Sequence, residues 1–350
     1  MKGTKIFVIV LILLILIAGG LFALKMFGGN ETEEANTNTV LTEEEKEPEV
    51  QTPKTLSGDS RPIAVMIDNN IDAMPQAGLL EADIIYEIIV EGGESRLMLI
   101  LQDKDLDKIG PIRSARHYFL DYALENDAIY VHYGWSPQAQ SDISSLGVDN
   151  INGIYESESA FWRVDDKYAP HNAVTNTKDI LEIADRKGYR VDKEKDNVLN
   201  YVVAEVNLED GKIADDVVIP YSDYNEVEYI YDEDLKEYVR YSRGEKQVDW
   251  NSGETITTKN IIIEKAENWT LNDGSGKGRQ TLDNVTTLEG YYITNGKVIE
   301  ITCEKESRSG QTVYKDLEGN EINVNDGKTF IQICPISADI TFTNESDSEG

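Results

Sequence analysis

Cysteine is scarce in this chain. Its 350 residues contain two, Cys303 and Cys334, both in strand-like runs near the C-terminus. Two buried free thiols or one disulfide between neighbouring strands would fit this pattern. No spacing of cysteine and histidine matches a zinc site, so the sequence predicts no metal ion and no cofactor.

Motifs of the common nucleophilic and phosphate-binding sites are also absent. The chain has no Gly-x-Ser-x-Gly turn and no Gly-x4-Gly-Lys-Ser/Thr loop. The glycine-rich stretch 274–278 lies between predicted strands and is interpreted as a hairpin loop. The sequence therefore names no catalytic nucleophile, and whether the protein is an enzyme stays open.

Basic residues are a minority. The chain has 33 Lys and Arg against 65 Asp and Glu, which gives a formal net charge of −32. So acidic a chain would repel a phosphate backbone, so nucleic-acid binding is not expected. Cell-wall polymers that hold cations, or protein partners, fit this charge.

The N-terminal segment lacks charge altogether over residues 6–24, a run of 19 residues. As a helix it would span about 28 Å, close to the thickness of a bilayer core. Lys2 and Lys5 precede the run, which favours a cytoplasmic N-terminus. We predict a signal anchor over residues 1–29, a single-pass protein of the cell membrane and an extracytoplasmic folded region. A cleaved signal peptide is the alternative.

The remaining chain divides by composition into four parts. Residues 30–59 form an acidic linker without apolar periodicity, which we predict to be disordered. Strands and helices alternate in 60–195, which predicts an α/β N-terminal lobe. Short strands separated by turns follow in 196–337 and predict a mostly-β C-terminal lobe. Residues 338–350 read as a flexible tail.

Hydrophobic runs and their end signals locate the elements of the first lobe. Short apolar runs predict strands over 63–67, 82–90, 96–102 and 128–133, with a hairpin between the second and the third. Helices are predicted over 76–81, 137–146 and 177–187. In the second lobe, strands are predicted near 202–206, 217–219, 227–231, 238–241, 261–263, 298–301 and 330–333.

The segment 110–116 carries two arginines three residues apart, Arg113 and Arg116, behind a Gly-Pro pair. It reads as the start of a helix that Ser114 could cap. Backbone N–H groups and fixed positive charge at such a junction would hold an anion. Alternatively, the arginines form structural ion pairs with Glu87 or Glu91, or a solvated surface.

Other polar residues lie at predicted strand ends, where ligands of α/β sheets collect. Asp68 and His132 both follow apolar strands and would share one sheet edge if those strands are parallel. A turn pair and a core histidine are the structural alternatives for them. Ser136, Gln138, Arg163 and Asn172 belong to the wider set of such residues. The ligand-binding candidates are Asp68, Asn69, Glu87, Glu91, Arg96, Arg113, Arg116, His132 and His171.

Several of these segments together resemble the YerB-like lipoproteins, a Gram-positive family classed as a domain of unknown function with N- and C-terminal parts. The resemblance covers about residues 60–335. It implies a two-lobed layout and an envelope location, and no established activity. Members often carry a lipid-attachment cysteine, which this chain lacks near its apolar run. The matching segments are 61–69, 82–87, 91–93, 109–116 and 128–132, with looser matches at 238–241, 249, 260–263 and 327–329.

Two functions of different classes are compatible with these features. The first is a membrane-anchored extracytoplasmic binding module for an anionic envelope component or a protein partner. Arg113 and Arg116 would grip a carboxylate or phosphate, with Arg96 or His132 assisting. The second is an envelope hydrolase that uses His132 with acidic residues of the N-terminal lobe.

Overall fold

The computed structural model describes residues 51–344. The predicted signal anchor over 1–29 and most of the predicted linker lie outside the described residues. Within the described range, no helix is both long and apolar enough to cross a membrane. Residues 51–59, at the end of the predicted linker, contact the folded part, where Thr55 Oγ1 donates a hydrogen bond to Asp326 Oδ1 at 2.7 Å.

The described residues are mostly β, with three α-helices, all of them before residue 195. The helices are α1 Phe119–Glu125, α2 Pro137–Leu146 and α3 Thr177–Lys187. Short 3-10 turns occur at Ile71–Ala73, Glu91–Gly93 and Gly153–Tyr155. The strands are β1 Ile63–Asp68, β2 Ile84–Ile89, β3 Ser95–Leu101, β4 Ile129–His132, β5 Asn150–Asn152, β6 Trp162–Arg163, β7 Ala173–Val174, β8 Tyr201–Val202, β9 Lys212–Ile213, β10 Asp216–Ser222, β11 Asn225–Asp232, β12 Glu237–Ser242, β13 Glu245–Lys246, β14 Thr257–Thr258, β15 Asn260–Ala266, β16 Asn268–Thr270, β17 Gln280–Leu282, β18 Thr287–Thr294, β19 Lys297–Glu304, β20 Val313–Asp316, β21 Val324–Asn325, β22 Thr329–Pro335 and β23 Thr341–Thr343.

One mixed sheet of 11 strands runs through the fold in the order β20-β19-β18-β15-β22-β2-β3-β1-β4-β5, with β9 beside β19. Its middle is the parallel pair β2 and β22, with Ile84 opposite Thr329 and Ile88 opposite Ile333. Strands from both sides of residue 195 therefore share this sheet. The boundary predicted at 195/196 separates two stretches of sequence, but it does not separate two sheets.

Strand β1 shows how the sheet buries both faces. All six of its residues are buried, as expected for a strand whose sequence is continuously apolar. Ala64 and Met66 face a core formed with α1 and α2. Ile63, Val65 and Ile67 face a second core that includes α3. The period-two alternation of the pleat assigns these residues to opposite sides.

A second sheet of six strands covers part of the second core. Its order is β13-β12-β11-β10-β23, with β14 beside β12. Alternate residues of β10, such as Val217 and Ile219, are buried while their neighbours are partly exposed. They pack in the same core as Ile261 and Phe330 of the large sheet. The fold thus has helices on one face of the large sheet and a second sheet with α3 on the other.

Most element predictions are confirmed. The four strands predicted before residue 135 correspond to β1 to β4, and β2 and β3 pair antiparallel. The helices over 137–146 and 177–187 are present with the predicted ends. The second of them is capped by Asn176, whose side chain accepts from Asp179 N.

Two predictions need correction. Residues 76–81 form no helix, because Ala77 and Gly110 exchange backbone hydrogen bonds of 2.7 and 3.1 Å that hold the chain extended. The described part of the predicted tail over 338–350 is not free. Its strand β23 pairs with β10, and Phe342 packs 5.0 Å from the ring of Tyr291.

Both cysteines are buried free thiols. Cys303 lies in the core beside α1 and α2, and Cys334 lies in the core on the opposite side of the large sheet. A disulfide between them would have to pass through the sheet. Of the two alternatives in the sequence, the structure contains the free thiols.

Candidate functional site

The segment 110–116 is extended, and the helix predicted to start there begins only at Phe119. Three of its N–H groups donate to backbone oxygens of neighbouring segments: Ile112 N to Ala173 O, Arg113 N to Met66 O, and Ala115 N to Gly134 O. Ser114 Oγ donates to Tyr133 O and caps no helix. The predicted helix N-terminus with its backbone donors is therefore wrong, and an anion site here depends chiefly on side chains.

The first residue of this segment, Gly110, has a backbone conformation that favours glycine. Its φ is +143°, and a Cβ at this position would lie 3.0 Å from the carbonyl oxygen of Ala173. A side chain would be strained at this φ, and its Cβ would approach that oxygen more tightly than is usual. The close approach places the arginines that follow between β1 and β4.

Arg116 is committed to an ion pair. Its guanidinium makes two hydrogen bonds with the Glu91 carboxylate, at 2.7 Å from Nε to Oε1 and 2.9 Å from Nη2 to Oε2. The remaining nitrogen, Nη1, donates to Ala115 O. Burial alone would raise the pKa of Glu91, but the hydrogen bonds and charge of Arg116 outweigh burial and lower it. This part of the motif forms the structural ion pair that the sequence left as one alternative.

Arg113 has a looser arrangement. Its Nε lies 3.0 Å from Asp68 Oδ2, yet this buried nitrogen is outside hydrogen-bond geometry and has no hydrogen-bond partner among the described residues. The same Asp68 oxygen lies 2.7 Å from His171 Nδ1. Asp68 therefore serves two cations or donors at once. The terminal nitrogens of Arg113 make no hydrogen bond within residues 51–344.

Arg96 lies behind these two arginines, and its Nη1 donates to Ser114 O. The pKa of Arg96 is lowered to about 10, mainly by burial and also by the charges of Arg116 and Arg113, against the opposing effect of Glu91 and Asp68. The shift therefore reflects chiefly the burial of this guanidinium, with the neighbouring arginines as a smaller cause.

Glu87 and Asn69 belong to a separate and completely buried network. Glu87 Oε2 lies 2.5 Å from Arg240 Nη2, and both side chains are inaccessible to solvent. Glu87 Oε1 accepts from Asn69 Nδ2 at 3.0 Å and from Ser95 Oγ at 2.6 Å. Arg240 also donates to Tyr229 and Gln247. Since every one of these groups is paired inside the protein, the network ties β2 to β12 and offers nothing to a ligand.

Sequence reasoning missed Arg240, because the local pattern gives no signal for it. In the structure, Tyr238, Arg240 and Ser242 share the buried phase of β12, while the other residues of the strand are partly exposed. Neither phase is clearly apolar in the sequence, so period-two alternation does not identify the inner face. A charge on an inner face requires a buried partner, and Glu87 lies at an equally buried position of β2.

His132 is also an internal group. Strands β1 and β4 are parallel, as the shared-edge hypothesis required. The His132 ring, however, turns into the protein, where Nδ1 contacts Gly134 O at 2.7 Å and Nε2 contacts Asn150 Oδ1 at 3.2 Å. Burial lowers its pKa to about 4, so it is neutral near pH 7. Within the described residues its hydrogen-bond partners include no carboxylate, whereas a general base is usually oriented by one. The histidine that contacts a carboxylate is His171.

A cleft of about 430 Å³ opens beside Arg113, and we call it the arginine cleft. Arg163 also lines it, with Nη1 donating to Asn172 Oδ1 at 2.6 Å and the guanidinium 5.3 Å from the Tyr133 ring centre. Its lining includes two arginines, three aromatic residues and one amide: Arg113, Arg163, Tyr133, Trp135, Tyr155 and Asn152.

Asn152 provides the least expected group of this cleft. Its Oδ1 accepts from Gly134 N at 2.9 Å and from Ile154 N at 3.2 Å, which fixes the orientation of the amide. Its Nδ2 is buried and has no hydrogen-bond partner in the described part of the chain. The residue is 6% exposed. Buried donors are nearly always paired, so the unpaired Asn152 Nδ2 in a residue that lines this cleft is unusual.

Two family descriptions of known proteins match this chain. The N-terminal domain described as "Protein of unknown function (DUF3048)" matches residues 49–190, and the C-terminal domain of the same description matches residues 217–331. This chain belongs to the DUF3048 family. The resemblance to YerB-like proteins read from the sequence is thereby confirmed.

A curated relative of this chain is "Putative lipoprotein YerB" of Bacillus subtilis (strain 168). It is 33% identical over 306 residues, which cover 83% of this chain and 86% of the relative. The crystal structure of YerB protein from Bacillus subtilis superposes with a TM-score of 0.73 at 32% identity and covers 83% of this chain and 97% of that chain. The mostly-β fold with mixed sheets is thus shared by a solved member. The family description supplies no activity.

Proposed function

We propose that this protein binds an anionic component of the cell envelope in the arginine cleft, on the extracytoplasmic side of the membrane to which it is anchored. The observation that carries the proposal is the buried donor Asn152 Nδ2, which has no hydrogen-bond partner among the described residues and belongs to a cleft that Arg113 and Arg163 also line. A buried donor without a partner costs roughly 1–3 kcal/mol, which an acceptor supplied by a ligand would offset.

The free guanidinium nitrogens define the kind of acceptor. The two terminal nitrogens of Arg113 make no hydrogen bond within the described residues, and Arg163 uses only Nη1 for one. Guanidinium groups recognise carboxylates and phosphates through paired N–H donors. Two such groups on one cleft favour a ligand with a carboxylate or a phosphate over a neutral or cationic one.

The local charge balance supports the same conclusion. Two carboxylates, Asp68 and Glu91, face three arginines around the segment 110–116, and a further arginine lines the cleft. The chain as a whole has a net charge of −32. An anion is therefore repelled by most of the surface and attracted at this place, which concentrates binding there. The arginines are Arg96, Arg113, Arg116 and Arg163.

Membrane anchoring rests on two further observations. The relative of 33% identity is named as a lipoprotein, which is a membrane-attached class of protein. In this chain, the uncharged run over 6–24 would fulfil the same role without a lipid.

A protein partner that presents an acidic group is compatible with the same cleft.

The test is a ligand-dependent shift in unfolding temperature of the full chain in detergent. Inorganic phosphate or acetate is added at constant ionic strength, and binding to the folded state raises the unfolding temperature. We expect a saturable rise for the wild type and at least about a tenfold weaker apparent affinity for the double variant Arg113→Ala/Arg163→Ala, because bidentate contacts are lost.

Arg279→Ala is the matched control. Arg279 also pairs with an aspartate, Asp273, and it lines none of the clefts described here. The control should respond to anions like the wild type. An unchanged response in the double variant, or no saturable rise in the wild type, would contradict the proposal.

A further inference from the structure

The arginine cleft has an aromatic wall. The rings of Trp135 and Tyr155 lie 5.8 Å apart with an angle of 50° between their planes. Tyr155 is 71% exposed, and neighbouring Ile154 is 52% exposed. Trp135 is backed by the buried ring of His132 at 5.5 Å, which limits its movement. An exposed tyrosine beside a supported tryptophan offers a ready surface for a flat, partly apolar ligand face.

A second cleft of about 310 Å³ lies against the same wall. It shares Trp135, Asn152 and Tyr155 with the arginine cleft. Because these residues line both, the two clefts adjoin at the aromatic wall, and we call the two together the groove. The rest of the second cleft is mostly polar, with side chains that carry hydroxyl, amide or charged groups: Gln140, Ser144, Asn150, Glu156, Lys187 and Tyr189.

Guanidinium groups, aromatic rings and polar side chains follow one another along the two clefts. This order matches a sugar with an acidic substituent. Carboxylate or phosphate oxygens would meet Arg113 and Arg163 at one end. The C–H face of a sugar ring would pack on Tyr155 and Trp135. Ring hydroxyls, or the next sugar of a chain, would meet the amides and hydroxyls of the second cleft. The unpaired Nδ2 of Asn152 lies in a residue common to both clefts.

An extended peptide fits the groove less well. The nearest sheet edge is β5, which has three residues and ends the large sheet. Its outward backbone groups are already used at Asn150, because the Tyr189 hydroxyl donates to Asn150 O at 2.8 Å and accepts from Asn150 N at 3.3 Å. Strand addition needs those groups free.

We infer that the ligand of this groove is a saccharide that carries a carboxylate or a phosphate, with its anionic group on Arg113 and Arg163 and a sugar ring on Tyr155 and Trp135. This inference rests on the proposed function and adds the ligand class. It also assigns Asn152 a role at the junction of the two clefts.

The test compares ligands that share one sugar. N-acetylmuramic acid carries a carboxylate, N-acetylglucosamine 6-phosphate carries a phosphate, and N-acetylglucosamine carries neither. Lactate, inorganic phosphate and an acetylated acidic tetrapeptide complete the set. Using calorimetry on the full chain in detergent, we expect at least one acidic sugar to bind about five- to tenfold more tightly than its bare anion, and the neutral sugar to bind far more weakly.

Tyr155→Ala separates the ring contact from the anion contact. It should remove the advantage of the acidic sugar and leave the affinity for inorganic phosphate within about twofold of the wild type. Since Tyr155 is largely exposed, the variant should fold. Tyr224→Ala, an exposed tyrosine (54%) outside both clefts, is the matched control and should change nothing.

The outcomes distinguish the two proposals. Bare anions that bind as tightly as the acidic sugars, an unaffected Tyr155→Ala variant, or preferential binding of the tetrapeptide would each overturn the saccharide inference while the anion site stands. Absence of binding by every anion and every acidic sugar would overturn both. The preferred acidic sugar identifies whether the anionic group is a carboxylate or a phosphate.

Discussion

At the scale of single residues, burial and partners decide what each charged side chain does. Arg113 and Arg240 are the same residue type, yet the side chain of Arg113 is 23% exposed and that of Arg240 is completely buried. Arg240 has all its contacts within the protein, whereas the terminal nitrogens of Arg113 make no hydrogen bond within residues 51–344. The residue type alone does not distinguish these two outcomes, because the difference arises from neighbours far away in the chain.

Glu264 carries a prediction about pH. Burial raises its pKa to about 7, and the charge of Glu125 adds to this, while hydrogen bonds from Tyr314 and Tyr122 and the charge of Lys305 oppose it. The folded protein therefore binds more protons than the unfolded chain between about pH 4.5 and 7. Its contribution to stability is complete below this window and is lost as the pH rises through it.

Glu264→Gln should remove that loss. Tyr122 and Tyr314 donate to different oxygens of Glu264. In the uncharged amide, the oxygen accepts from one tyrosine and the nitrogen donates to the hydroxyl oxygen of the other. Urea unfolding at pH 5 and pH 8 should show that the wild type loses roughly 2–3 kcal/mol more than the variant over this interval. Glu289→Gln, at an exposed position of the adjacent strand β18, is the control. Parallel pH dependences of the wild type and Glu264→Gln would refute the prediction.

At the scale of elements, the segment 110–116 shows where local patterns mislead. A Gly-Pro break followed by two arginines and then a helix predicts a helix start. In the fold, the segment lies between the ends of β1 and β4, and neighbouring strands accept its N–H groups. Local sequence carries no information about such acceptors, because Met66, Gly134 and Ala173 approach only after the sheet has formed.

The ion pair of Glu87 and Arg240 joins two elements, β2 of the large sheet and β12 of the small one. Arg240→Met leaves a buried carboxylate without its cation, and we expect a loss of about 3–5 kcal/mol in the free energy of unfolding. The double variant Glu87→Gln/Arg240→Met should lose less, since no charge is left unpaired. Urea unfolding of the two variants gives both values.

Arg279→Met tests the same substitution at a pair near the surface. The pair with Asp273 is partly exposed and screened by solvent, so its loss should cost far less than that of the buried pair. If Arg240→Met costs as little as this control, the pair does not stabilise the contact between the two sheets.

At the scale of the whole molecule, the two stretches predicted as lobes form one sheet, because β2 pairs with β22. A second link lies in the core on the helical face, where Lys305 Nζ contacts Glu125 Oε2 at 2.6 Å and Tyr122 donates to Glu264. These contacts join residues more than 140 positions apart. Composition indicates a boundary near residue 195, but it does not show that strands from both sides of that boundary pair in one sheet.

Membrane attachment is the prediction that concerns the whole chain. The uncharged run over 6–24 is long enough to span a bilayer core, so the full chain should stay in the membrane pellet after alkaline carbonate extraction. A variant without residues 1–29 should appear in the supernatant. A variant without residues 30–50 is the control and should stay in the pellet. Release of the full chain would contradict the anchor.

The sequence by itself determined most element positions and the family, because continuous and alternating apolar runs encode burial on two faces or on one, and the runs near β1 to β4 are unambiguous. It also singled out Arg113. Only the tertiary structure decided that Arg116 pairs with Glu91, that His132 faces the interior, and that Trp135, Asn152 and Tyr155 line the cleft of Arg113. These outcomes depend on contacts between segments that are distant in the chain, and a local sequence pattern gives no information on how close such segments lie.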